Sequence, residues 1–144
     1  MVRYSQILSV HLFLLRDNEI LLQLRKNTGY RDGCWSVIAG HVEAKESATN
    51  AMVREAKEEA GITLNPKDLI LVHVMHRFEN QERVDFFFKA NKWEGEPKIM
   101  EPEKAGEMKW FKLSELPLNV VPYIRQAIEL GLKRGQIYSE YGWD

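Results

Sequence analysis

Cysteine is almost absent from this chain, as are the features that mark secreted, membrane-spanning or zinc-binding proteins. The single cysteine, Cys34, cannot form an internal disulfide, which favours a reducing compartment such as the cytoplasm. The apolar run at 10–15 is interrupted by His11 and is far shorter than a membrane-spanning helix. Neither the residue order of a secretory signal nor a zinc spacing such as HExxH or CxxC is present. We therefore expect a cytoplasmic protein with no membrane association.

The sequence also lacks a charge excess and the common nucleotide-binding loops. Its 20 basic and 21 acidic residues give a formal net charge of −1, which offers no general attraction for nucleic acid. No GxGxxG or GxxxxGK[ST] segment occurs, so neither a dinucleotide cofactor nor a P-loop site is indicated. The 144 residues, 44% of them apolar, are sized for one domain over 1–144.

What is present is a series of short strand patterns. Residues 4–25 are typical of a β-hairpin that turns at Asp17-Asn18, and loop-forming residues follow at 26–34. Further strands are predicted at 35–39, 69–78, 84–90 and 108–113. The polar segment 79–82 separates the strand at 69–78 from the strand at 84–90, and the rest of 97–122 is predicted as a loop.

Two helices are predicted between and after these strands. Ser47 can cap a helix that runs to Ala60, and Gly61 can end it in a left-handed conformation. Pro122 suits a first helical position, and apolar residues recur behind it at helical spacing to close the domain. Strands mixed with two helices predict a mixed sheet with helices packed on its faces.

The helix at 47–60 carries an unusual set of charges. On a helical wheel Met52 and Ala56 face the core, while the Glu55, Glu58 and Glu59 carboxylates lie along one edge of that apolar arc. Like charges at spacings of three and four residues repel, and a hard divalent cation such as Mg²⁺ would offset them. The alternative is a solvated, salt-bridged helix face. The inward position of Glu59 favours a metal site.

The segment from Gly40 to Ile62 has a recognisable spacing. Gly40, Glu46 and the run REAKEEAGI at 54–62 match the Nudix box, with Ala56 as one mild departure. Seven specified residues at this spacing would occur by chance on the order of once in 10⁶ to 10⁷ chains of this length. The sequence thus resembles the Nudix hydrolase family, and its MutT-like members in particular. The resemblance implies an α/β fold, the Nudix α/β/α sandwich with a mixed central β-sheet.

The resemblance also implies roles for individual residues. The divalent-metal ligands would be Glu55, Glu58, Glu59 and the Gly40 carbonyl, with Glu101 or Glu103 from a later loop as a further acidic ligand or base. Glu46 and Arg54 would form a pair that orders the loop and the helix. Glu55 is the expected general base within the box, and Glu46, Arg54, Glu55 and Glu58 together are the expected catalytic set.

Residues outside the box have weaker support. Arg25 and Arg31, which flank the loop before the box, and Tyr30 within it are candidates to bind substrate, although solvated loop charges and a packed aromatic ring are the simpler interpretation. Trp35, Phe78 and Trp110 are expected in the core, and Cys34 is expected to be structural. Of the four histidines, His11, His73 and His76 are expected to be half-buried strand residues, and His41 is expected to be a surface residue.

The function implied by the resemblance is Mg²⁺-dependent hydrolysis, with Mn²⁺ as a substitute, of a nucleoside diphosphate linked to another group. The preferred substrate is a nucleoside triphosphate, cleaved to the monophosphate and pyrophosphate, because the sequence is short and the Trp93–Pro97 stretch resembles MutT-type enzymes. Hydrolysis of ADP-ribose, another nucleotide sugar or a dinucleoside polyphosphate is the enzymatic alternative. An RNA cap or an RNA 5′-triphosphate is a further alternative substrate, although no basic stripe favours a long RNA contact. A non-catalytic nucleotide-sensing module is the alternative of another class. No stable nucleic-acid partner is expected, and a homodimer is compatible with the family.

Overall fold

The computed structural model describes residues 3–144. Its strands are β1 (Ile7–Arg16), β2 (Glu19–Arg25), β3 (Trp35–Ser36), β4 (Ile38–His41), β5 (Ile70–Glu79), β6 (Gln81–Ala90), β7 (Ala105–Lys112) and β8 (Tyr138–Tyr141). Its helices are α1 (Ala48–Ala60) and α2 (Pro122–Ala127), and α2 continues as a wider π-helical turn over Ile128–Lys133. Among the described residues, none of the helices has the length and apolar character needed to cross a membrane.

The strands form one mixed sheet. The order is β3-β2-β1-β6-β5-β8, with β4 also paired to β1 and β7 to β2. The β1–β6 and β5–β8 pairs are parallel and the other pairs are antiparallel. Strand β1 pairs with β6 over most of its length, with β4 over 9–12, and with β2 only at Leu15 and Arg16. Strand β1 therefore joins the part of the sheet that contains β2, β3 and β7 to the part that contains β5, β6 and β8.

Alternate residues of β1 supply two separate cores. Val10, Leu12 and Leu14 pack with the apolar face of α1, whereas Phe13 packs with α2 and the turn that follows it. Both faces of the strand are buried, which explains its nearly continuous apolar sequence. A helix on each face of a mixed sheet confirms the predicted α/β/α sandwich.

The start and end of α1 confirm the predicted caps. The Ser47 hydroxyl accepts a hydrogen bond from the Asn50 N–H at 3.1 Å, so it satisfies one of the free amides of the first turn. Gly61 ends the helix at φ 69°, and its N–H donates to the Lys57 carbonyl. The hairpin formed by β1 and β2 also turns where predicted, with Asp17 in the left-handed region at φ 55°.

Strand boundaries differ from the sequence prediction in four places, one of which is β7, predicted at 108–113 but spanning Ala105–Lys112. The predicted strand 35–39 divides at Val37, because β3 pairs with β2 whereas β4 pairs with β1 and continues to His41. The polar segment 79–82 is not a loop: only Asn80 turns, and its polar neighbours pair across an exposed hairpin end. Strand β8 was not predicted, because its four residues draw their pairing from β5, far away in sequence.

Three burial predictions were wrong. His11 and His73 are buried in the second core rather than half-buried, since both lie on central strands covered by α2 and its turn. Phe78 is 43% exposed and contacts Trp143 at the sheet edge instead of entering the core. Trp35 is buried as predicted, Trp110 is half-buried against the α1 core, and Cys34 packs at the margin of the α2 core.

Candidate active site

A cleft of about 680 Å³ lies where α1 faces the ends of β2 and β4 and the loop before β7. We call it the acidic cleft. Its charged lining residues are the acidic Glu43, Glu55, Glu58, Glu59 and Glu101 and the basic Arg25, Arg54 and Lys104. Five carboxylates and three basic side chains line the same cleft, and this excess of negative charge favours the binding of a cation.

Arg54 joins the loop before α1 to the helix itself. Its guanidinium donates to both carboxylate oxygens of Glu46 at 2.8 and 3.0 Å and to the His41 carbonyl at 3.0 Å. The remaining nitrogen contacts the Glu55 carboxylate at 2.8 Å and the Glu58 carboxylate at 3.4 Å. A lysine could not make this planar set of contacts. The structure therefore pairs Glu46 with Arg54, and this pair contacts the carboxylates of Glu55 and Glu58 through the guanidinium. We call the Glu46–Arg54 pair the brace.

Glu46 is held in its charged form by this brace. The Arg54 hydrogen bonds, with a further bond of 3.0 Å from the Glu43 N–H, lower the pKa of Glu46 to about 2. Glu46 lies outside the lining of the acidic cleft, so its contacts act on the cleft through Arg54. Its geometry is that of a positioning residue.

Glu59 turns inward, as its place on the helical wheel indicates. Its Oε1 accepts hydrogen bonds from the Gln23 side chain at 3.1 Å and from the Ala39 N–H at 3.4 Å. Burial, with Glu55 as an additional negative neighbour, raises the pKa of Glu59 to about 8. Ionisation of this buried carboxylate is unfavourable unless a cation lies nearby. The position of Glu59 therefore suits a metal ligand.

Gly40 lets α1 approach β4. A side-chain carbon at this position would overlap the carboxyl group of Glu55, far inside van der Waals contact. The Glu55 carboxylate therefore lies directly against the β4 backbone in space that only glycine leaves open. This contact brings the Gly40 backbone and a helix carboxylate into the same part of the acidic cleft.

The atoms expected to bind metal are the carboxylate oxygens of Glu55, Glu58 and Glu59 and the Gly40 carbonyl oxygen. Mg²⁺ and Mn²⁺ prefer oxygen ligands of this type. Among residues 3–144 no three acidic, histidine or cysteine side chains converge on one point. The reason is visible in their hydrogen bonds: Glu55 and Glu58 are turned onto Arg54, and Glu59 onto Gln23. The donor chemistry and the space at Gly40 thus fit a divalent cation.

The two loop acids are placed differently. Glu101 is half-buried and lines the acidic cleft. Glu103 is exposed and is absent from the cleft lining, and only its backbone carbonyl contacts the 26–34 loop, through Asn27. The structure therefore brings Glu101, and not Glu103, to the carboxylates of α1.

A second cleft, of about 390 Å³, adjoins the acidic cleft on the α2 side of the sheet. The two share the lining residues Arg25, Ala39, Gly40 and His41. Arg25 donates to the Tyr30 carbonyl at 2.8 Å, and the Tyr30 hydroxyl donates to Glu79 at 2.8 Å. Arg31 is exposed, 3.7 Å from the Glu79 carboxylate, and does not line the cleft. Of the predicted substrate residues, Arg25 and Tyr30 therefore face this space.

The interior of the second cleft is a charged network that the sequence analysis missed. The Arg77 guanidinium donates to Asp85 at 2.7 and 3.2 Å and to Glu79 at 2.8 Å, and lies 3.7 Å from the centre of the Tyr123 ring. Tyr123 also contacts His11 Nε2 at 2.9 Å. Burial lowers the pKa of His11 to about 4, so the ring is neutral. The available signal was Arg77 and Asp85, two charges inside apolar strands.

Comparison with known proteins agrees with this geometry. The family model described as the NUDIX domain matches residues 6–130. An ADP-ribose pyrophosphatase from Methanocaldococcus jannaschii is 35% identical over 103 residues, which cover 71% of this chain and 59% of that protein. The NAD-capped RNA hydrolase NudC of Shigella dysenteriae is 33% identical over 107 residues, covering 74% of this chain and 39% of that protein.

A solved structure shares the fold more completely. A MutT NUDIX hydrolase from Burkholderia pseudomallei superposes with a TM-score of 0.81 at 29% identity, covering 88% of this chain and 98% of the other. By contrast, this chain matches only about three-fifths and two-fifths of the length of the two curated relatives. The box geometry, the sandwich fold and the match over residues 6–130 together show that this chain belongs to the Nudix hydrolase family.

Proposed function

We propose that this chain hydrolyses the diphosphate bond of a nucleoside diphosphate joined to another group, in a Mg²⁺-dependent reaction at the acidic cleft. The observation that carries the proposal is the contact of Glu55 with the β4 backbone at Gly40, in a cleft that Glu58 and Glu59 also line. Glu55, Glu58, Glu59 and the Gly40 carbonyl would hold the ion, and Glu101 from the loop before β7 lines the same cleft as a further acidic group. Mn²⁺ would substitute for Mg²⁺.

When bound at these residues, a divalent cation would neutralise charge on the diphosphate and would lower the pKa of a nearby water molecule. Glu55 accepts a proton from the attacking water, and Glu101 is the alternative base in the same cleft. The new bond joins the water oxygen to phosphorus, and the bond from phosphorus to the bridging oxygen breaks. Glu46 acts by keeping Arg54, and through it Glu55 and Glu58, in position.

Two substrate classes are supported by different observations. A nucleoside triphosphate, cleaved to monophosphate and pyrophosphate, agrees with the near-complete overlap with a MutT NUDIX hydrolase. A diphosphate that carries a second large group agrees with the ADP-ribose pyrophosphatase relative and with the second cleft beside the acidic one. We place the reaction in the cytoplasm, and a homodimer stays a prediction.

A product-resolved hydrolysis screen tests the proposal. Nucleoside triphosphates, oxidised triphosphates, ADP-ribose, nucleotide sugars and dinucleoside polyphosphates are incubated with Mg²⁺ and wild type or Glu58→Gln, and products are separated by chromatography. We expect a monophosphate from at least one class and loss of most of the rate in the variant. Glu129→Gln, which changes an exposed ion pair with Lys133 on the α2 turn, is the matched control. Binding without turnover of any compound would contradict the proposal and favour a sensing module.

A further inference from the structure

The second cleft is lined by more arginine side chains than the nearby carboxylates neutralise. Asp85 and Glu79 both accept hydrogen bonds from Arg77, so that guanidinium already has its counter-ions. Arg83 and Arg25 line the same cleft without such a partner. Their side-chain hydrogen bonds go to neutral oxygens: Gln81 for Arg83, and Thr28 and the Tyr30 carbonyl for Arg25.

Arg83 occupies a position that is unfavourable without an anion. It lies directly opposite Arg77 in the β5–β6 ladder, and like charges in opposed positions destabilise a sheet. Its Nε is buried and has no hydrogen-bond partner in the described part of the chain. The Arg83 side chain as a whole is half-buried, and its Nη2 donates to Gln81 at 3.3 Å, so an anion bound at this guanidinium would offset the repulsion from Arg77 and form charge-assisted hydrogen bonds.

Further polar groups on the same face complete the pocket. His11, only 1% exposed, lines the cleft, and its Nε2 is bonded to the Tyr123 hydroxyl. Ser9 is adjacent on β1 and also lines it. The aromatic rings in the lining, Tyr30 and Tyr123, already have a guanidinium over one face, with Arg25 at 5.3 Å and Arg77 at 3.7 Å from the ring centres. This lining is better suited to an anionic group than to a flat neutral ring.

We propose that the second cleft binds an additional anionic group of the ligand, a phosphate monoester or a carboxylate outside the diphosphate that is cleaved, with Arg83 as the residue that selects for it. The inference rests on the proposed function for the placement of the diphosphate in the acidic cleft, which joins the second cleft at Arg25, Ala39, Gly40 and His41. It narrows the substrate class to diphosphates that carry such a group.

Calorimetric titration without divalent metal and with a chelator tests this binding separately from catalysis. Three pairs of probes differ in one anionic group: NADPH and NADH, coenzyme A and its dephospho form, and UDP-glucuronate and UDP-glucose. For wild type we expect one or more anionic members to bind about tenfold more tightly than their partners, as one charge-assisted hydrogen bond would give. The first two pairs report a phosphate and the third reports a carboxylate.

Variants assign the preference to Arg83. Arg83→Gln should bind both members of each pair about equally, since it keeps a polar amide that can hydrogen-bond but loses the charge and the reach of the guanidinium. Arg134→Gln, an exposed arginine beyond the α2 turn, should keep the wild-type preference. If Arg83→Gln does not fold, the preference should still fall in Arg83→Lys and weaken in wild type as salt is raised. Near-ultraviolet circular dichroism checks that each variant is native.

Three results would overturn the inference: equal affinity within all pairs, a preference that survives in Arg83→Gln, or no binding of any anionic member at millimolar concentration. Equal affinity would indicate that the cleft takes a neutral base or sugar. Hydrolysis of a diphosphate without any anionic preference would overturn this inference alone. Anionic preference without hydrolysis of any diphosphate would overturn the proposed function alone.

Discussion

The two clefts use charge in opposite ways. At the acidic cleft one arginine, Arg54, lies within ion-pair distance of four carboxylates, two of them on the same helix, and the Glu58 side chain remains 55% exposed. In the second cleft Arg77 and Asp85 are almost completely buried and bind each other through two hydrogen bonds. The first arrangement is open and can exchange partners. The second is fixed by burial, because an unpaired charge there would be very unfavourable.

This difference predicts which substitutions change catalytic activity and which change the stability of the fold. Substitutions of Arg54 and Glu58 in the acidic cleft should alter catalysis and leave the fold nearly unchanged, because these partly exposed side chains can exchange one partner for another or for water. Substitutions among the buried charges of the second cleft should act first on the free energy of unfolding. The following predictions run from the largest expected effect to the smallest.

Removal of the charge on Asp85 should produce the largest effect on stability. Asp85→Asn leaves the Arg77 guanidinium buried with only Glu79 as a counter-ion, and we expect a loss of about 3 to 5 kcal/mol in the free energy of unfolding. Urea denaturation measures it, and Glu129→Gln should stay within about 0.5 kcal/mol of wild type. A loss no larger than that of the control would show that the buried pair is not a fixed structural element.

A methyl group at Gly40 should reduce activity strongly. Gly40→Ala forces the Glu55 carboxyl away from β4, and we expect a fall in kcat/KM of about 10²-fold, typical of a misplaced active-site group. The matched control is Gly106→Ala, whose added carbon would meet only the Lys26 side chain, at 3.4 Å. Equal activity of the two variants would mean that the contact between Glu55 and β4 is not required.

Acid should destabilise the protein through His11. Burial, opposed by Asp85, lowers the pKa of His11 to about 4 from its ordinary 6.5; Arg77, Tyr123 and His41 are the other titratable groups acting on the ring or bonded to it. The unfolded chain takes up this proton at higher pH than the folded one, so the contribution is fully present above pH 6.5 and is lost as the pH falls towards 4. The loss should reach about 3 kcal/mol.

The pH dependence is measured as the free energy of unfolding of wild type and His11→Gln between pH 4 and 8. The difference between their slopes isolates His11 from the carboxylates of the acidic cleft, since those are common to both proteins. We expect the two curves to diverge below pH 6.5, with wild type the steeper. Parallel curves would contradict a neutral, buried His11.

Arg54→Lys should have a smaller effect on kcat/KM. The lysine keeps a positive charge but cannot bind Glu46, Glu55 and the His41 carbonyl at once, so we expect a loss of about 10- to 100-fold in kcat/KM. Stability should change little. Initial-rate kinetics with the substrate found in the screen, beside thermal unfolding, would measure both. Wild-type kcat/KM in this variant would show that charge alone, and not the brace, is needed.

The sequence predicted the acidic cleft far better than the second cleft, and the reason is distance along the chain. Glu55, Glu58 and Glu59 lie within one helix, where spacing alone places them on one side, and Ser47 and Gly61 mark its ends. The second cleft joins His11, Arg77, Asp85 and Tyr123 from three strands and α2. Nothing local relates these residues, so only the pairing of β1, β5 and β6 brings them together.

The same reasoning explains the errors in the fold. Strand β8 forms because β5 offers a free edge, and the histidines at 11 and 73 are buried because α2 and its turn cover their strands. Glu101 and Glu103 have the same residue type and nearly the same position in the sequence, yet only the conformation of the loop decides which one lines the cleft. Local sequence pattern therefore identified most helices and strands and the motif at 40–62. Tertiary packing determined strand β8, the burial of the histidines and which loop acid lines the cleft.

Binding of Mn²⁺, followed by electron paramagnetic resonance of the free ion, is the most direct test of the central claim that the α1 carboxylates hold a divalent cation. Wild type, Glu58→Gln and Glu129→Gln are titrated under the same conditions. We predict saturable binding by wild type and the Glu129→Gln control, and affinity at least about tenfold weaker in Glu58→Gln, as expected when a charged ligand is lost. Equal affinity in all three proteins, or no binding by wild type, would contradict the account.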